Sequence, residues 1–264
     1  MPAETPSSLL RDAAVRLLLP SAVLVAVNVV VGRTVAGSAS LRDRETAAIL
    51  RLQRHRTPAR DRLAKLVSNA ADVPASVLHG LVAATALGLG TRNPRGAALP
   101  AVALVIETAT YLGAGAVVDR PRPEVPRLDH EQPTSSFPSG HLGATVALMV
   151  VYARLARGVH SPTLRALAGS GCLVWPSLLA WARVHTGMHY PSDVLAGAVN
   201  GVAAGLLAWN YLGGDGCFGG DGSAGAGSAG SNGAVTLRVG KTRRPKSGAI
   251  PSETSTVRPA AMSS

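Results

Sequence analysis

The chain has 264 residues, of which 47% are hydrophobic and only 16% charged, and it carries a formal net charge of +11. Soluble domains of that length distribute charge along the whole sequence, whereas here Arg, Asp and Glu cluster between long uncharged stretches. Cys172, inside an apolar run, and Cys217, near the end, are placed too differently to build a disulfide framework or a zinc site.

In chain order, the uncharged stretches are 17–32, 73–91, 96–118 (with Glu107), 142–153, 166–182 and 194–214. A bilayer core needs about 20 mostly apolar residues per helix, and flanking arginines snorkel to extend a short span. The expected fold is therefore all-α, an integral membrane bundle of six transmembrane helices. The first stretch follows Arg11 and Arg16, as in a secretory leader. It is read as a span, because no small-x-small cleavage site follows it and further spans come later.

Residues 33–71 are basic, with Arg42, Arg44, Arg51, Arg54, Arg56, Arg60, Arg62 and Lys65 interleaved with Leu50, Leu52, Leu63 and Leu66. The pattern fits an interfacial amphipathic helix interrupted at Pro58, its arginines meeting lipid phosphates. A solvated charged helix fits it equally. Beyond Leu212 the chain becomes Gly- and Ser-rich, then basic around "GKTRRPK". Such a segment cannot bury enough apolar surface to offset its ordering entropy, so a disordered tail is expected. Phe218 is its single aromatic residue, too few to stack on successive bases, which argues against a nucleic-acid role.

Two bilayer crossings return a chain to the side it left. Each takes about 20 residues at 1.5 Å rise per residue, and Arg183 lies 42 positions after His141. "VVDRPRPEVPRLDH" precedes the "PSGH" segment and "HTGMHYPSD" opens the last span. Arg120, Arg122, Ser139, Gly140, His141, Arg183, His189 and Asp193 are thus expected at one membrane face.

Arginine forks bind phosphate oxygens, and helix N-termini offer free N–H groups to an anion. Ser139 suits a cap, and Gly140 allows close backbone approach. Two histidines in an anion cradle can divide hydrolysis, one attacking phosphorus and one protonating the departing oxygen. Asp193, four residues after His189, shares its helix face and could hold the imidazole in the attacking tautomer. This chemistry needs neither metal nor cofactor. His185 either lines the cleft or faces interfacial water, and His55, His79, His130 and His160 are read as surface or packing residues.

The pair Arg122-Pro123, "PSGH" at 138–141 and "RVHTGMHYPSD" with Arg183, His189 and Asp193 resemble the three-part signature of the type 2 phosphatidic acid phosphatase superfamily, which also contains the vanadium haloperoxidases. The resemblance covers about residues 60–212. It implies that His189 is transiently phosphorylated, that Asp193 orients it and that His141 protonates the leaving group. Arg122, Arg183, Ser139 and the Gly140 backbone would hold the phosphate. Two positions depart from the family pattern: its motif lysine is Gly115 here, with Arg120 as the tempting substitute, and its Ser before the arginine is Ala182.

The expected organisation is an N-terminal span (1–36), a basic interfacial loop or helix (37–71), a phosphatase core with five spans (72–212) and the tail (213–264). Glu107 should face the bundle interior and bond Asn200 at similar depth. Gly197, Gly201 and Gly205 permit a close helix contact, within the chain or across a homodimer seam. The 26 Lys and Arg divide 13 to each side, so charge does not orient the protein, and an extracytoplasmic site in the cell membrane is inferred from the resemblance alone. Relatives act on polyprenyl diphosphates, phosphatidic acid or phosphatidylglycerol phosphate, which implies a phospholipid or polyprenyl phosphate substrate. The competing readings are an inactive scaffold or transporter of the same fold and a vanadate-dependent peroxidase.

Overall fold

The computed structural model describes residues 6–129 and 134–212. His130 and the expected tail, 213–264, lie outside the described residues. Among these there is no strand. Helix α1 (Pro6–Ala13) runs through a π-helical turn (Ala14–Leu18) into α2 (Leu19–Gly37). Then follow α3 (Ala39–Gln53), α4 (Pro58–Asn69), α5 (Val73–Thr91), α6 (Pro94–Val118), α7 (Gly140–Ala156), α8 (Pro162–His185) and α9 (Pro191–Leu212).

The described residues of each of the six apolar stretches lie on helices, but the stretches are not equivalent. Four segments are long and apolar enough to cross a membrane: Leu10–Gly37, Val73–Gly90, Pro94–Val118 and Pro191–Leu212. Helix α7 has 17 residues, short of the usual span, and α8 has 24 but dilutes its apolar side chains with Gly, Ser and Arg. Leucines and valines on the outside of α2, α5, α6, α8 and α9 are exposed, among them Val30, Leu81, Val105, Leu173 and Leu195. A belt of this kind is what hydrocarbon, not water, would cover.

The basic segment breaks where Pro58 forbids continuation. Gln53 ends α3, and Thr57 caps α4 by accepting from Arg60 N at 3.2 Å, with Pro58 at the first helical position. Its inner face packs on the bundle: Ala64 and Val67 are buried with Leu142, Leu179, Ala182 and Val194.

The decisive packing for function is α9 on α7. A Cβ at Gly197 would strike the Ser139 carbonyl oxygen, one at Gly201 that of Gly143, and one at Gly205 would lie 2.8 Å from that of Ala147. The four-residue glycine stripe thus meets a four-residue ladder of α7 backbone within the same chain, so two helix starts that carry chemistry lie side by side. Glu107 and Asn200 are buried in the interior, as expected. The two side chains meet, Asn200 acting on the Glu107 carboxyl as its hydrogen-bonding neighbour, while Glu107 Oε1 has no bonded partner among the described residues.

Candidate active site

The turn from α8 to α9 sets His189. Thr186 N still bonds Ala182 O at 2.8 Å, then Gly187 reverses the chain with φ +73°. Only glycine adopts that conformation at no steric cost, and a Cβ there would also press on Val125 and lie 3.0 Å from Pro126 O. Met188 N and His189 N both bond back to Arg183 O, at 3.2 and 3.3 Å. The turn therefore carries the second histidine back over the arginine six residues before it.

His189 is buried, and its two ring nitrogens have different tasks. Nδ1 lies 2.8 Å from the Ser136 carbonyl, which can only accept, so Nδ1 bears the hydrogen. Nε2 is left with its lone pair. Two guanidinium groups face it, Arg183 Nη2 at 3.3 Å and Arg122 Nη1 at 3.4 Å. Burial, then the charges of Arg183, Arg122 and His141, push the His189 pKa well below the ordinary histidine value. A neutral, correctly tautomeric imidazole at physiological pH is the consequence, which is the form a nucleophile requires.

Asp193 stands 3.9 Å from His189 Nδ1, too far for a hydrogen bond. It accepts instead from Ser136 Oγ at 2.6 Å, from Tyr190 N at 2.9 Å and from Arg120 Nη1. Its influence on His189 runs through Ser136, whose hydroxyl it holds and whose carbonyl holds the ring. Ser136 carries no signal in the sequence beyond its place two residues before Pro138.

Arg120, expected with the substrate-binding groups, is committed elsewhere. Its guanidinium bonds Glu45 at 2.9 Å, Ser192 at 2.8 Å and Asp193, and lies 4.0 Å over the Tyr190 ring. Four engagements leave it as a clamp on the last motif, so it does not replace the motif lysine. At Gly115 a Cβ would meet Phe137 O at 3.5 Å, and a small cavity of about 240 Å³ lies against this residue. Among the described residues nothing cationic lines that cavity.

The remaining expected residues converge. Arg122 donates to Met188 O at 2.8 Å and reaches Thr134. Arg183 donates to Ser68 Oγ at 2.6 Å and pairs with Asp129 at 3.3 Å. Its Nε and the Ser139 hydroxyl are buried without a bonded partner among the described residues. Orphaned donors of this kind are costly in a folded protein, and an anion between them would satisfy both. Gly140 packs its α-carbon on the Tyr111 ring and begins α7, whose first N–H groups have no helical acceptor. His141 follows, with Nε2 2.8 Å from Asp72 Oδ1.

A cavity of about 400 Å³ opens beside these groups, with Arg122, His141 and His189 at one part and Val77, Leu104 and Leu112 along its apolar wall. The basic segment braces the site from outside the motifs. Glu45 meets Arg120, Ser68 meets Arg183, Gln53 bonds Pro126 O and His185 O, and Asp61 bonds His185 at 2.8 Å. The Asp61 pKa is lowered chiefly by its hydrogen bond from Arg56. His185 is buried, stacked on Trp181 5.0 Å away, and lies outside the lining of the cavity that His141 and His189 share. These bracing contacts join residues far apart in the chain, and only the isolated acids within a basic run hinted at them.

Residues 96–216 match the profile described as PAP2 superfamily, the superfamily whose three-part signature the sequence resembles. No curated protein matches the chain in sequence. Among solved structures it is similar to a transmembrane PAP2 type phosphatidylglycerolphosphate phosphatase from Bacillus subtilis, with 18% identity, 72% of this chain and 94% of that one covered, and a TM-score of 0.62. It is also similar to Aquifex aeolicus LpxE, with 22% identity, 62% and 94% covered, and a TM-score of 0.50. At such identities the likeness is one of fold.

Proposed function

We propose that the protein is a membrane lipid phosphatase that hydrolyses a phospholipid monophosphate or a polyprenyl diphosphate through a phosphohistidine, without metal. The observation that carries this reading is the His189 ring, with Nδ1–H held by a backbone carbonyl and Nε2 turned to two guanidinium groups. In the first step Nε2 bonds to phosphorus while the bond from phosphorus to the leaving oxygen breaks, and His141 gives that oxygen its proton. Arg122, Arg183, the Ser139 hydroxyl and the N–H groups at the start of α7 receive the charge on the phosphoryl oxygens. In the second step water attacks, His141 takes a proton from it, the phosphorus–nitrogen bond breaks and inorganic phosphate leaves. Asp193 and Arg120 act as positioning groups through Ser136.

All six apolar helices cross the bilayer in this reading, with the site at the outer face of the cell membrane and the lipid entering sideways. The apolar wall of the 400 Å³ cavity supports a substrate with hydrocarbon attached. The relative named as a phosphatidylglycerolphosphate phosphatase supports the class of substrate without fixing it.

The test is phosphate release by purified protein in detergent from phosphatidic acid, phosphatidylglycerol phosphate and undecaprenyl diphosphate. We expect turnover of at least one that persists in chelator and is blocked by vanadate, with His189→Ala lowering it by about 10,000-fold and His141→Ala by about 100-fold or more. Equal turnover by the His189→Ala protein would remove the nucleophile.

A further inference from the structure

Helix α5 begins at Asp72, a residue type that ordinarily caps its own helix, with side-chain oxygen bonded to the N–H two or three residues on. Here it makes no such bond. Its carboxylate reaches 69 positions along the chain instead, and Oδ1 lies 2.8 Å from His141 Nε2. The backbone beneath it is well held. Ala71 is buried, Ser76 Oγ donates to Ala71 O at 3.1 Å, and Ser76 N bonds Asp72 O at 2.8 Å. A rigid turn therefore presents a carboxylate to the imidazole expected to supply the proton, and Asp72 stands in none of the three motifs.

We propose that Asp72 is the positioning residue of the general acid, holding His141 through Nε2 so that Nδ1 delivers the proton to the leaving oxygen. This rests on the phosphatase reading above. A carboxylate at one ring nitrogen fixes the tautomer and stabilises the imidazolium, as in any carboxylate–histidine pair. The opposing charges are strong. Burial acts most against a charged His141, followed by Arg183 from α8 and Arg122 from the segment before α7, while His189 faces it from the α8–α9 turn and Tyr111 of α6 packs beneath Gly140. Asp72 is the anion set against those cations at His141. The step balances: the His141 N–H proton passes to the departing oxygen as its bond to phosphorus breaks, and water returns a proton to His141 when it cleaves the phosphohistidine.

Proton donation matters in proportion to how poor the leaving group is. An alkoxide, such as the glycerol oxygen of phosphatidic acid, needs the proton, whereas p-nitrophenolate leaves without it. Asp72→Asn should therefore lower kcat/KM, which reports the step that expels the leaving group, on phosphatidic acid by about 100-fold while lowering that on p-nitrophenyl phosphate by less than about threefold. The alkaline limb of the surviving phosphatidic acid activity should move to lower pH, because the imidazolium has lost its partner. Asp72→Glu should recover part of the phosphatidic acid activity. Equal losses on both substrates, or no loss on either, overturns the proposal. His189→Ala serves as the separate control: if it spares both activities the phosphatase reading fails, whereas if it abolishes both and Asp72→Asn does not discriminate, only the role of Asp72 fails. Melting curves of detergent-solubilised wild type and Asp72→Asn accompany the kinetics, and loss of folded protein is met by reading the leaving-group ratio in Asp72→Ser, which keeps a capping residue but removes the carboxylate, where a ratio equal to wild type also overturns the assignment.

Discussion

Helix starts beside His141 behave differently from helix starts elsewhere in the molecule. Ser38, Thr57, Asn93 and Ser161 each accept from a backbone N–H of the helix they precede. Asp72 and Ser139 occupy the same position on α5 and α7 and form no such bond. A side-chain cap is worth about 1 kcal/mol. At the two starts that meet the histidines the chain gives up that local stabilisation, and the side chains turn toward His141 or stand ready for an anion. Broken local rules concentrate where chemistry is done. The same contrast holds for charge: Arg154 at the far end lies 6.0 Å from a Trp209 ring, whereas Arg120, Arg122 and Arg183 are all drawn into one polar network.

The hardest blow to the site end would fall on Asp193. It is fully buried and gathers Arg120, Ser136 and the Tyr190 N–H into one cluster. Asp193→Asn keeps the shape but takes a carboxylate from a buried guanidinium, a change that costs about 3 kcal/mol when a buried pair is broken. Turnover should fall by about 1,000-fold, because the Ser136 peptide that fixes His189 Nδ1 loses its anchor. Denaturant unfolding in micelles and steady-state kinetics measure both. Normal turnover with lowered stability would show that Ser136 holds the ring unaided.

Arg122 probes the electrostatics at lower stakes. His189 must be neutral to attack, and its pKa lies below the usual value of about 6.5. The acid limb of kcat/KM should accordingly fall below that pH. Arg122→Gln removes one of the positive charges that hold the pKa down, so the limb should move to higher pH while kcat/KM drops by about 10- to 100-fold with the lost phosphate contact. The position of the limb is read independently of its height. An unmoved limb would assign it to a group other than His189.

Much of this arrangement could be read from the chain, and the reason is geometric. Helical rise and bilayer thickness together place His141 and Arg183 at one depth, and the glycine stripe of α9 announces a close helix partner. The one-dimensional pattern carried less about what was paired with what. Spacing suggested that Asp193 bonds His189 directly, but a tilted turn puts 3.9 Å between them and inserts the Ser136 carbonyl. Arg120 and Arg122 look interchangeable two residues apart, yet one is taken by Glu45 of α3 and the other reaches His189. Glu45, Ser68, Asp72 and Asp129 lie 54 to 115 positions from the partners they serve. Periodicity is blind to contacts of that range, and the basic composition of 33–71 disguised a segment whose inner face braces the site.

The smallest effect gives the cleanest test of the contrast between caps. Asn93 Oδ1 accepts from Arg95 N at 3.0 Å and Gly96 N at 3.4 Å, while the Ser139 hydroxyl has no bonded partner among the described residues. Asn93→Ala should lower the unfolding free energy by about 1 kcal/mol and leave turnover alone. Ser139→Ala should do the opposite: stability stays within about 0.5 kcal/mol, and kcat/KM falls about tenfold through the lost hydrogen bond to a charged phosphoryl oxygen. Both substitutions delete a polar group at the same position of a helix, so helix propensity and cap loss are matched and only the destination of the side chain differs. If Ser139→Ala proved as destabilising as Asn93→Ala and as active as wild type, its hydroxyl would be serving α7 in solution, and the division between structural and functional helix starts would fail at the residue where it is sharpest.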